Sequence, residues 1–66
     1  MTPDDVRARV AQVLALASDD EATHGAEDKL WGDVLRAIAT FTCENPVQYA
    51  RLALKTENID FARWRA

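Results

Sequence analysis

Apolar residues recur every three to four positions along most of this chain, and strict apolar/polar alternation is absent. That period predicts helices and no strands. The first helix is expected to start at Thr2, which serves as N-cap with Pro3 in the first helical position and Asp4 and Asp5 at the positive end of the dipole. Val6, Val10, Val13, Leu14 and Ala17 then form one apolar stripe, with Ala8, Ala11 and Ala15 on the opposite side. Ser18–Gly25, polar and acidic, reads as a connection. A second helix is expected to begin near Thr23–Ala26. Its stripe is Leu30, Val34, Ala37, Ile38 and Phe41, widened by Trp31 and Leu35 to about 160° of the wheel.

This second helix must stop before Pro46, because the residue ahead of a proline disfavours helical backbone. Asn45-Pro46-Val47-Gln48 is itself a start signal, with Asn45 as N-cap and Gln48 placed for a capping box. The third helix then runs from Pro46 to about Thr56. Val47, Tyr49, Ala50, Leu52, Ala53 and Leu54 cover about 220° of it, leaving Gln48, Arg51 and Lys55 as a narrow polar wedge. Such a helix is expected to be buried on more than one side. Asn58 is suited to a left-handed closing residue. Asp60 is placed to cap a last turn through Phe61, Ala62, Arg63 and Trp64, on which Phe61 and Trp64 share a side. The expected fold is therefore all-α: a single domain over residues 1–66, a compact bundle of three main helices plus a short C-terminal helical turn.

Length sharpens that picture. A 66-residue chain buries only about 60% of its unfolded surface and usually needs a disulfide, a metal or a partner. Cys43 is the only cysteine, so no internal disulfide is available and no oxidising compartment is indicated. The N-terminus lacks the basic and apolar regions of a signal peptide. No apolar run approaches the roughly 20 residues that span a bilayer. These features predict a cytoplasmic protein that does not contact a membrane.

The net charge is −3, unevenly spread. Residues 19–33 carry six acids against Lys29, a local charge of −5, while residues 34–66 carry five bases against three acids. These charges read as solvated helix faces that can also steer a partner.

Chemistry for catalysis is missing from the motifs. There is no Gly-rich phosphate loop, no CxxC pair and no HExxH. Cys43 and His24 are the only Cys/His combination, and a thiol at a helix C-terminus sits where the dipole disfavours a thiolate. His24, Glu27 and Asp28 have helical spacing compatible with metal ligands, but capping and hydrogen bonding explain them more simply. The chain is read as non-enzymatic, with no catalytic residue, metal or cofactor. DNA binding is the alternative reading, through Arg51, Lys55, Arg63 and Arg65. A sequence pI near 4.9 argues against nucleic acid as the partner.

Counting large apolar side chains points instead to protein–protein interaction. Val6, Val10, Val13, Leu14, Leu30, Val34, Leu35, Ile38, Phe41, Val47 and Leu54 suffice for a small three-helix core. Trp31, Tyr49, Leu52, Phe61 and Trp64 are then the expected contact surface, and Trp and Tyr are types enriched at interface hot spots. A homodimer is the expected assembly. Ile59–Ala66, which holds two of the five aromatic residues and two arginines, is expected to border that surface as a docked final turn.

The segments His24–Ala39 (HGAEDKLWGDVLRAIA) and Ala53–Trp64 (ALKTENIDFARW) resemble pieces of small uncharacterised all-helical proteins of actinobacteria and their phages. The resemblance implies no site residue. It implies a phage or mobile-element origin, and with it a modulator of a host protein.

Overall fold

The structure, a computed structural model, describes residues 1–61. They form three helices, α1 (Pro3–Ala15), α2 (Asp20–Ala39) and α3 (Pro46–Leu54), and α3 continues into a 3₁₀ turn, Lys55–Asn58. Each helix packs on the other two. The all-helical three-helix bundle predicted from the apolar period is the observed fold. Of the expected last turn, Asp60 and Phe61 are described, while residues 62–64, Arg63 and Trp64 among them, lie outside the described residues, as does Arg65.

Local chemistry sets the starts. The Thr2 hydroxyl accepts from the Asp5 N–H at 3.2 Å while the Asp5 carboxylate accepts from the Thr2 N–H at 2.8 Å, a complete capping box ahead of Pro3. The Asn45 side chain caps α3 by accepting from the Gln48 N–H at 3.0 Å. The start of α2 departs from expectation. Asp19 caps it, accepting from the Ala22 N–H at 3.1 Å, so the helix begins at Asp20 and most of the expected connection is helical. Acids in the first turn favour this earlier start. Thr23 is fully buried and donates its hydroxyl to the Leu16 carbonyl, pinning the new turn to the end of α1.

The end of α2 also departs from the apolar pattern. The helix stops at Ala39, and Phe41 adopts the left-handed region with φ 57°. The Thr42 N–H bonds the Ala37 carbonyl at 2.9 Å and the Phe41 N–H bonds the Ile38 carbonyl at 3.2 Å. That pair of bonds is a Schellman closure with phenylalanine where glycine is usual. Thr40 reinforces it, its hydroxyl donating to the Arg36 carbonyl at 2.8 Å. Asn58 does not take the left-handed role expected of it: among the described non-glycine residues Phe41 alone has positive φ. The 3₁₀ turn tightens the end of α3 instead, and Ile59 leaves it in extended conformation.

The core is built from Val6 and Val13 of α1, Leu30 and Val34 of α2, Tyr49, Leu52 and Ala53 of α3, and Ile59. Tyr49, Leu52, Ala53 and the buried Thr56 follow helical spacing, so the inward face of α3 is the one expected to face a partner. Tyr49 is 1% exposed and donates its hydroxyl to the Met1 carbonyl, joining α3 to the start of the chain. Trp31 bridges α2 to the end of α3, its indole N–H reaching the Ala53 carbonyl at 3.2 Å and the Thr56 hydroxyl at 3.0 Å. It thereby shares the Ala53 carbonyl with the Thr56 hydroxyl, which donates to the same oxygen at 3.1 Å. On the other side of α2, Asp33 accepts from Arg9 of α1 at 2.7 Å and from Arg36 at 2.8 Å, with Lys29 at 3.6 Å.

Candidate functional site

α2 and α3 touch each other less extensively than either touches α1. Between them an apolar cleft of about 180 Å³ stays open. Trp31, Val34, Leu35 and Ile38 form its α2 wall, and Ala50, Ala53 and Leu54 its α3 wall. All seven lining residues are apolar. Leu35 and Leu54 stand at the lips, 66% and 48% exposed. Val47, one turn before Ala50, is exposed on the same outer side of α3, and Phe41, just past the end of α2, is 93% exposed.

A second groove lies on the opposite side of α3, between α1 and the 3₁₀ turn, with a volume of about 370 Å³. Leu14, Leu52 and Ile59 line it together with the charged Arg7 and Lys55. Its lining is mixed, whereas that of the α2/α3 cleft is wholly apolar.

The structure redistributes the residues expected at a contact surface. Tyr49 and Leu52 belong to the core, leaving 1% and 6% of their surfaces exposed. Trp31 is half-buried, its ring a wall of the cleft and its N–H bonded inward. Phe61 is half-buried against the core cluster. Conversely Leu14, Leu35, Phe41, Val47 and Leu54, expected in the core, are exposed. On α3 the exchange of Tyr49 and Leu52 for Val47 and Leu54 arises because that helix carries two apolar faces of equal spacing. The face that places the larger side chains, and a hydroxyl that can reach a carbonyl, turns inward. Only the breadth of the apolar wheel signalled in the sequence that one face would be left over.

Of the four cations of the DNA-binding alternative, Arg63 and Arg65 lie outside the described residues. Arg51 and Lys55 are exposed on α3 and the 3₁₀ turn. His24 pairs with Asp28 at 3.5 Å while Glu27 is buried. Among the described residues no group of three His, Cys, Asp or Glu side chains is placed to hold a metal ion. Cys43 lies half-buried in the connection between α2 and α3, packed against the core. No helix of the described residues is long and apolar enough to cross a membrane.

Two carboxyls are perturbed. Hydrogen bonds from Arg36 and Arg9 hold the Asp33 carboxyl far below the usual carboxylate range, and the Lys29 charge adds to this. The Thr2 N–H and hydroxyl lower Asp5 in the same sense. Burial raises the Tyr49 phenol. These groups hold the bundle together and lie outside the cleft.

No protein-family model, curated protein or solved structure matches the chain, so the cleft is interpreted from its own geometry and chemistry.

Proposed function

We propose that this chain is a non-enzymatic protein–protein interaction module that docks its partner on the α2/α3 cleft. The observation that carries this reading is the continuity of apolar surface there, from the Trp31 wall across the cleft to Leu35 and Leu54 at its lips. The cleft's apolar walls and exposed leucine lips offer a partner apolar surface to bury, and a small chain gains from every further buried side chain. The partner's apolar groups would complete a core that the chain closes only on one side. The resemblance to phage proteins makes a host protein one class of partner, and self-association makes a second copy the other.

The test is affinity capture from a native lysate, together with sedimentation over a range of concentrations, comparing wild type with Leu35→Glu. Leu35 is exposed, so the variant should keep its helicity and melting temperature. Loss of binding by a folded Leu35→Glu chain is the expected result. Binding that survives this charge in the cleft would reject the reading.

A further inference from the structure

Phe41 combines two features that each oppose its being there. Its backbone is left-handed at φ 57°, which is uncommon for any residue but glycine and an outlier for a bulky one. Its ring is 93% exposed and covers nothing of its own chain. The Schellman bonds to Ala37 and Ile38 and the Thr40 hydroxyl bond to Arg36 fix the backbone on both sides, so the ring projects from a defined place. That place is the end of the hairpin formed by α2 and α3, three residues beyond Ile38 of the cleft.

The same molecule holds the complement of this ring. A closed apolar cavity of about 150 Å³ accommodates benzene, and the cleft offers about 180 Å³ between apolar walls. The charges around the two features are also complementary. Glu44 follows Phe41 by three residues and is exposed. Arg51 lies on the α3 face between Val47 and Leu54, Lys55 follows Leu54, and both are exposed. Among the described residues none of these three forms a salt bridge.

Resting on the reading of the cleft as a docking face, we propose that its occupant is Phe41 of a second copy of this chain, and that two copies exchange these rings about a two-fold axis. Ring and cleft sit on one hairpin, and a reciprocal two-fold contact, with each ring in the partner's cleft, is the pairing that closes the assembly. The same operation brings Glu44 toward the basic side of the partner's α3. Exposure of the ring in the single chain is then the unfilled half of a reciprocal contact.

Sedimentation of the full chain tests this with three proteins. Wild type should dimerise at high micromolar concentration. Phe41→Gly should weaken dimerisation at least about 100-fold, because two anchors are lost per dimer. The same change should leave the monomer folded and melting higher, since glycine relaxes the left-handed backbone. Ala50→Phe, which fills the cleft from the α3 wall, should also be monomeric. A mixture of Phe41→Gly and Ala50→Phe should recover association, because one intact ring then meets one intact cleft. A wild type that stays monomeric, or a Phe41→Gly chain that dimerises as well as wild type, would overturn the proposal. If in that last case Leu35→Glu still abolished the dimer, docking at the cleft would stand without the exchanged ring.

Discussion

Two leucines two positions apart show how one residue's environment sets its role. Leu52 is 6% exposed and Leu54 is 48% exposed, with the same side chain on the same helix. Removing a buried leucine loses transfer energy and leaves a cavity, whereas removing one from the surface does neither. Leu52→Ala should therefore cost about 2–5 kcal/mol. Leu54→Ala should cost under about 1 kcal/mol. Urea melts at low micromolar concentration, where association does not contribute, distinguish the two. Phe41 is the opposite case, a residue whose backbone strain of order 1 kcal/mol is not repaid by any contact within its own chain.

At the scale of elements, α2 illustrates the balance between cap and interior. It is 20 residues long and carries Gly25 within its second turn, where the sequence suggested a loop. Glycine lowers helix stability, but Asp19 capping, the acidic first turn and buried Thr23 outweigh that cost. No neighbouring atom lies within 4 Å of where a Cβ at Gly25 would be. Gly25→Ala should stabilise the protein by about 0.5–1 kcal/mol, seen as a higher midpoint in thermal melts with an unchanged helical spectrum. Gly32 differs, since a Cβ there would meet the Arg36 guanidinium at 3.1 Å and would disturb the Asp33 cluster. The Trp31 bridge and the Tyr49 tether act at this scale too, each joining elements the chain sequence keeps apart.

For the whole molecule, the acidic limb of stability follows from Asp33, which ties α1 to α2. Its folded pKa is depressed, chiefly by Arg36 and then Arg9. A depressed carboxyl contributes stability that is fully present above its unfolded pKa of about 3.9. That contribution is lost as pH falls through the lower folded value. Asp5, lowered by its capping bonds, acts in the same direction. Stability should thus decline below about pH 4. Asp33→Asn should be less stable at neutral pH and show a shallower acid limb, which denaturant midpoints at pH 3 and pH 7 resolve. The same molecule leaves a wholly apolar cleft between the two helices that touch least, where a partner can supply the missing contacts.

The fold class, two of the three helix starts and half of the core were legible in the sequence, because caps and the helical period are local properties. Thr2-Pro3 and Asn45-Pro46 mark their helices without reference to anything distant. Val6, Val13, Leu30 and Val34 lie on stripes with only one apolar side to bury. The candidate site was legible only as an excess of apolar surface. Which face of α3 turned inward depended on the Tyr49 hydroxyl finding the Met1 carbonyl and on Leu52 and Ala53 meeting the other helices, contacts set across the chain. The end of α2 at Phe41 likewise depended on backbone bonds that an apolar stripe does not encode. Local signals along the chain suffice to specify three amphipathic helices with apolar surface to spare. Where that surface lies is set by packing between distant residues, because periodicity fixes which residues share a face but not which face meets the core.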